Sequence, residues 1–498
     1  MDMDDDARYR AIETRDARFD GRLFVAVTTT GIYCRPICPA ATPRRAHVRF
    51  FATATAAQQA GFRPCLRCRP ETSPDLAAWG GTASSVSRAL GLIEAGALDT
   101  GSMDQLAARL GLGERQLRRL FQQHLGASPI SVAQTRRILL AKQLIHETRL
   151  PMTEVAMAAG FGSLRRFNET FQHLFARPPA ALRRAGRTDE PFATAGTIVV
   201  KLAYRPPYDW DGILAFLRLR AIPGVETVSH DRYARTIAMG GHQGVVAVER
   251  AEPGRLQATI RFPALRSLPA IIARVRRVFD LGADPAAIGA HLRHDPALAP
   301  LVAARPGLRV PGAWDGFELA VRAILGQQIT VAAATRLCGA LVRAYGEPIA
   351  DPSPGLTHVF PAADRLAGID FAALGMPAGR RAALASLVSA VVADPLLFGP
   401  RRSLDEAVAQ LRALPGIGEW TAQYIAMREL REPDAFPAAD IGLMRALSGS
   451  NPRISPAALL ARSEAWRPWR AYAALHLWAS EADVFPGVER AFNDPKAA

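Results

Sequence analysis

The sequence predicts a multidomain, mainly α chain: a small α+β module, a basic helical segment, a second short α+β stretch and a long helical remainder. Three observations carry this reading. The chain has 498 residues, more than one hydrophobic core supports at roughly 100–200 residues per domain. Four of its five cysteines crowd into residues 34–68, which marks a separate local unit. Residues 84–187 read as helix throughout and carry fifteen Lys/Arg against seven Asp/Glu, +8 of the total +15. Apolar residues at 49% and aromatics at 7% are ordinary globular values, so wholesale disorder and fibrous repeats are excluded.

Each segment follows from its own composition. Residues 8–74 hold the clustered cysteines and a strand-like Leu23-Phe24-Val25-Ala26-Val27 before Thr-rich turn residues. Glu71-Thr72-Ser73-Pro74 and Gly80-Gly81-Thr82 have linker composition, as does Gly186-Arg187-Thr188-Asp189-Glu190-Pro191 after the basic segment. Residues 195–268 contain β-flavoured Thr197–Tyr204, Thr227–Ala238 and Gly244–Val248, and residues 269–484 are expected to be helical to the end. No solenoid-period repeat is visible. No apolar run approaches the roughly 18 residues of a membrane span, and Met1–Asp6 is acidic where a secretory leader is basic. A cytoplasmic protein with no membrane partner is expected, and its positive charge favours nucleic acid as partner. Nearly all of that charge is arginine, since lysine occurs only at 142, 201 and 496.

Cys34-x3-Cys38 and Cys65-x2-Cys68 present two thiol pairs, the spacing with which Zn(II) gathers four ligands at about 2.3 Å. Such a site is either a purely structural knob or, because zinc holds its ligands as thiolates, a nucleophile. The flanking residues Thr29-Thr30-Gly31-Ile32-Tyr33-Cys34-Arg35-Pro36 and Ala60-Gly61-Phe62-Arg63-Pro64-Cys65 resemble the N-terminal domain of the Ada adaptive-response family. The resemblance implies that Cys34 accepts a methyl group irreversibly from a methylphosphotriester in DNA while Cys38, Cys65 and Cys68 support it. It also implies that loss of a thiolate charge tightens DNA binding.

In the basic segment, Met103–Gly113 followed by Glu114–His124 reads as helix, glycine turn, helix, with Arg115, Arg118 and Arg119 beside core-spaced Leu117, Leu120 and Phe121. The unit recurs as Met152–Ala159, Gly160-Phe161-Gly162, then Ser163–Phe175 with Arg165 and Arg166, after a long helix Ser131–His146. The pair resembles the AraC-type double helix-turn-helix domain. Arg115, Arg118, Arg165 and Arg166 are candidates for base or phosphate contact, or arginines of a solvated face. An activator of this type implies promoter DNA and RNA polymerase as partners.

Leu414-Pro415-Gly416-Ile417-Gly418-Glu419-Trp420 fits a helix-hairpin-helix, in which Gly416 and Gly418 let backbone N–H groups reach a phosphate. That motif also serves as a plain DNA grip. Asp440 lies twenty residues beyond Trp420, the spacing of the aspartate in the helix-hairpin-helix glycosylases; Asp434 competes, and either could merely cap a helix. Tyr204–Trp210, Arg305–Arg309, Arg322–Gln327, Leu374–Pro377 and Trp466–Ala473 together resemble the 3-methyladenine DNA glycosylase II (AlkA) family. The resemblance implies a TBP-like α+β subdomain, two helical subdomains flanking a cleft, and a flipped alkylated purine in double-stranded DNA. It implies Asp440 as the catalytic carboxylate and Trp420, Tyr424 and Trp478 around the base, where core packing is the alternative. Where the family has a leucine wedge this chain has Gln328, a polar filler for the vacated stack. Relatives that nick the strand carry a lysine at the place of Trp420, and no lysine lies between 202 and 495, so a monofunctional glycosylase is expected. Cys338 lacks the Pro-Cys-His-Arg context of methylguanine methyltransferases. Against the fusion of activator and glycosylase stands a regulator whose C-terminal half only grips DNA.

Overall fold

The computed structural model describes residues 4–73, 85–183, 196–399, 403–448 and 454–480, most of them helical. These residues fall into two units, one holding those up to 73, 85–204 and 264–273, the other 205–263 and those from 274 on. Gly80–Thr82 and Gly186–Pro191, which read as linkers, lie outside the described residues.

In the first unit a small sheet is built in the order Val48–Phe51, Phe24–Val27, Ile32–Cys34, Arg63–Pro64. The central strand Phe24–Val27 is buried at its first three residues, and across the antiparallel pair Val25 faces Cys34 and Ala26 faces Tyr33. Tyr33 pairs in parallel with Pro64. Four helices then form the two helix-turn-helix units, Met103–Arg109 with Glu114–Leu125 and Met152–Ala158 with Leu164–Phe175. Ser102 and Gln105 close a capping box at the start of the first. Gly111 and Gly160 make the turns at φ +64° and +89°, and a Cβ on Gly160 would stand 2.3 Å from the Asp99 carboxylate. Any side chain there would clash as well as strain the backbone. Asp99 in turn ion-pairs with Arg136 and Arg137 of the long helix Pro129–Glu147, which lies between the two units in the chain.

One linker reading is corrected. Pro70–Thr72 is a short 3-10 turn whose Glu71 is buried, not a solvated tether. Its carboxylate lies 2.6 Å from Lys142 Nζ, itself fully buried, and Lys142 also donates to the carbonyl of Cys65 at 2.9 Å. A buried charge persists only when paired and hydrogen-bonded, and this pair locks the cysteine module to the long helix.

The second unit opens with helix Trp210–Arg220 and antiparallel strands Glu226–Val228, Arg232–Met239, His242–Arg250 and Arg255–Arg261. Helix Gly316–Leu325 is buried along almost its whole length, its only charged side chains being Glu318 and Arg322, the pattern of a central helix. Around it stand Glu419–Arg428, Ala378–Ala393 and Val331–Tyr345. Helix to the end is also corrected: Glu347–Ser353 and Leu356–Val359 pair as a hairpin. Pro348, Pro352 and Pro354 remove helix donors within seven residues, and Gly355 turns the chain at φ +76°.

Candidate functional site

The sheet of the first unit brings the cysteines together. Cys34 ends strand Ile32–Cys34, and Cys65 follows the parallel strand, its N–H bonded to Tyr33 O at 3.0 Å. The Sγ atoms of Cys34, Cys38, Cys65 and Cys68 lie within 4.8 Å of one another. A tetrahedron of bonds of about 2.3 Å has edges of about 3.8 Å, so slight contraction would complete a four-sulfur metal site. Backbone N–H groups of Arg35 and Arg67 each donate to a sulfur at 3.3 Å, to Cys68 and Cys65 respectively, a second layer that favours the charged form. The Arg35 guanidinium binds Asp20, Cys68 O and Thr72 Oγ1, tying the loop behind the site. Cys65 and Cys68 are buried, whereas Cys34 and Cys38 are partly exposed and can be approached from outside.

On the helix-turn-helix units all four candidate arginines are exposed. Arg118 is held by Glu114 at 2.8 Å and Arg165 by Glu169 at 2.7 Å. Arg115 and Arg166 have no acidic partner among the described residues. The aromatic faces beneath them, Phe121 and the Phe167, Phe171, Phe175 series, are buried, which fixes the opposite face toward solvent.

In the second unit the helix-hairpin-helix is formed by Leu404–Arg412 and Glu419–Arg428. Gly416 sits at φ +83° with a Cβ position 2.3 Å from Ala383 Cβ, so packing as well as conformation demands glycine. Gly418, exposed, stands at the N-terminus of the second helix with open space beside it. Two residues on, Trp420 donates its indole N–H to Asp440 at 2.7 Å, and Trp478 donates to the other carboxylate oxygen at 2.9 Å. Asp440 also caps helix Ile441–Ser448, accepting from Leu443 N at 3.0 Å. Capping and cavity lining, alternatives in the sequence, are one arrangement here. A Cβ on Gly442 would lie 3.0 Å from Asp440 Oδ1, so glycine keeps the carboxylate free. Trp420 and Tyr424 stack with centroids 5.1 Å apart and planes 9° apart, and Trp478 meets Tyr424 edge-on at 6.5 Å.

These four residues line a cavity of about 430 Å³, a size suited to a small aromatic ligand. Asp434 is elsewhere, held in ion pairs by Arg467 and Arg470. Sequence reasoning missed the cavity's charged wall. Arg428 donates to Tyr424 Oη at 2.6 Å; burial opposes ionisation of this phenol, but Arg428 and Arg220 outweigh it and hold it below its usual range. Glu318 bonds Arg235 at 2.7 Å and Arg322 at 2.6 Å. Burial would raise its carboxyl, yet the two guanidiniums bring it down to about 2. The spacing of Tyr424 and Arg428, four apart on one helix, was a readable signal; the pairing of Glu318 with Arg235, 83 residues away, was not.

Comparison with known proteins follows the same division. Residues 7–71 match the metal binding domain of Ada, 106–185 a helix-turn-helix domain, and 199–315 the AlkA N-terminal domain. A probable bifunctional transcriptional activator/DNA repair enzyme AlkA of Mycobacterium tuberculosis is 43% identical over 94% of this chain and 95% of its own length. The chain belongs to this family of bifunctional activator/repair enzymes. DNA-3-methyladenine glycosylase 2 of Escherichia coli is 38% identical over 56% of the chain and 96% of its own length. A 3-methyladenine DNA glycosylase from Archaeoglobus fulgidus, 20% identical, shares the fold over 58% of the chain and 99% of its own, with a TM-score of 0.51. As a member of this family the chain is a DNA-binding DNA repair enzyme, and its cysteine cluster is a Zn(II) site of Ada type. No helix among the described residues is long and apolar enough to cross a membrane.

Proposed function

We propose that the protein is an alkylation-response fusion in which residues 8–74 accept a methyl group, 84–187 bind promoter DNA, and 195–268 with 269–484 form a glycosylase. The observation that carries the enzymatic half is Asp440, fixed by two indole N–H groups in an aromatic cavity. A purine alkylated at N3 or N7 is cationic, so it departs as a neutral base without a general acid. As the bond from C1′ breaks, its electrons pass to the base, and positive charge grows on the sugar beside Asp440. The carboxylate stabilises that charge and orients the water that adds to C1′, the water's proton leaving through Asp440 or solvent. Trp420, Tyr424 and Trp478 present π faces to the cationic ring. With no lysine from 202 to 495, the product is an intact abasic strand.

At the other centre, Zn(II) when bound keeps the sulfurs ionised at neutral pH. The Cys34 sulfur, one of the two within reach, attacks the methyl carbon of a phosphotriester. The C–O bond breaks and its electron pair stays on oxygen, restoring the phosphodiester anion. The resulting thioether is neutral, so the module repels DNA less, and promoter binding by the helix-turn-helix units tightens by about tenfold, or 1.4 kcal/mol. Recruitment of RNA polymerase follows from occupancy of the promoter. The deciding experiment measures base release from alkylated duplex DNA by the purified protein and by Asp440→Asn. Equal release by both would move the assignment away from Asp440, and none by either would leave a regulator that only grips DNA.

A further inference from the structure

The segment between helices Gly316–Leu325 and Val331–Tyr345 is held at both ends and exposed in the middle. Gln327 donates its amide to Gly416 O at 2.9 Å and to Thr421 Oγ1 at 3.3 Å, while its carbonyl accepts from Arg380 at 2.5 Å. Thr330 caps the next helix, accepting from Ala333 N at 3.2 Å. Between these anchors Gln328 adopts the left-handed conformation, φ +60°, which turns the chain and hands the mouth of the cavity to its successor. Ile329 and Val331 are 36% and 42% exposed, among the few large apolar side chains left in water. Both line the cavity that holds Asp440, and Gln328 does not.

We propose that Ile329 is the side chain inserted into the DNA stack when a base is extruded into this cavity, in place of Gln328. The proposal rests on the glycosylase reading and names a residue for it. A filler lies between the faces of stacked bases with only the edge of the orphaned base to bond, so a glutamine amide gives up most of its water there whereas the sec-butyl side chain of Ile329 gains by leaving it. Apolar wedges are the usual means of parting base steps. A wedge must also be stiff, and the β-branched Ile329 stands two residues after Gln327, whose side chain is bonded to the Gly416 carbonyl of the hairpin. Val331 is the weaker candidate, because it is already the first residue of the following helix.

The test uses the full-length protein and two DNA substrates, one with the alkylated purine paired and one with it in an unpaired bulge, each carrying 2-aminopurine beside the lesion. Flipping from a pair needs the vacated space filled, whereas a bulged base is already largely out. Ile329→Ala is expected to lower excision of the paired lesion by about tenfold and to suppress the 2-aminopurine fluorescence rise, with excision from the bulge kept within about twofold. Ile329→Leu should restore the paired substrate, and Gln328→Ala should change neither by more than about twofold. A larger loss from Gln328→Ala or Val331→Ala than from Ile329→Ala would overturn the assignment, as would an Ile329→Ala loss equal on both substrates. Fluorescence rise without base release by the wild type would instead sink the glycosylase reading while still testing Ile329.

Discussion

At Cys34 and at Asp440 the chain sets an anion in partial burial, and it stabilises the two in different ways. The cysteine cluster shares its charge among four sulfurs, supported by main-chain N–H groups of Arg35 and Arg67. Asp440 has no cationic side chain as partner among its hydrogen bonds; Trp420, Trp478 and Leu443 give it three neutral N–H donors. Neutral donors leave the carboxylate's charge directed at whatever stands in the cavity, whereas an arginine would cancel it, as Arg467 and Arg470 do at Asp434. A group consumed once can be bound into a metal site. One that turns over must keep its field available.

The largest way to break this comparison is to remove the reacting atom. Cys34→Ala should abolish methyl uptake from methylphosphotriester DNA, read by mass spectrometry of the protein, and uptake by the variant would shift the acceptor to Cys38, the other partly exposed sulfur. Cys65→Ser should cost the Zn(II) and the fold of residues 8–72, seen as lost metal and a lost thermal transition. Asp440→Asn keeps the shape of the cavity but removes its charge; excision should fall by about three orders of magnitude with DNA binding nearly unchanged. Borohydride trapping of a protein–DNA adduct by the wild type would contradict the lysine-free, monofunctional route.

A third substitution sharpens the difference in support. Lys142 and Glu71 are both essentially without solvent contact, so Lys142→Met leaves the buried Glu71 carboxylate with Arg69, at 3.1 Å, as its remaining cation and removes the donor to the Cys65 carbonyl. The expected loss is about 2–3 kcal/mol in the stability of the first unit, measured by denaturant unfolding, below the cost of a fully unpaired buried charge because Arg69 remains. Lys142→Met combined with Glu71→Gln should recover part of it. A loss below about 1 kcal/mol would mean that water reaches the pair.

What could be read from the sequence was what local residues dictate. Two cysteine pairs, glycine turns between amphipathic helices and the Gly416–Gly418 hairpin each sit within a short stretch, so their chemistry and their geometry share one window. Trp420, Tyr424, Asp440 and Trp478 could be named but not oriented: the indole N–H bonds to Asp440 span 20 and 38 residues, and only the tertiary fold turns those edges inward. Glu71 reads as linker because Ser and Pro follow it; its partner Lys142 is 71 residues away. The hairpin at 347–359 is legible in its prolines but masked by the helical pattern on both sides.

The smallest expected effect separates arginines that look alike. Arg118 lies within 2.8 Å of Glu114, an exposed pair, and a phosphate must compete with that carboxylate for it. Arg166, exposed on the first turn of helix Leu164–Phe175, forms no ion pair among the described residues, since Glu169 one turn on is held by Arg165. Its charge is unspent. Arg166→Ala should therefore lower the salt dependence of promoter binding by about one counterion, whereas Arg118→Ala should lower it by less, since Arg118 is already engaged by Glu114 and gives a phosphate less than a full contact. The measurement is the slope of log affinity against log salt for each variant on promoter and on random DNA. Equal slopes for wild type and Arg166→Ala on both would place that arginine on the solvated face and leave Arg115, the other exposed arginine without an acidic partner among the described residues, to carry the contact.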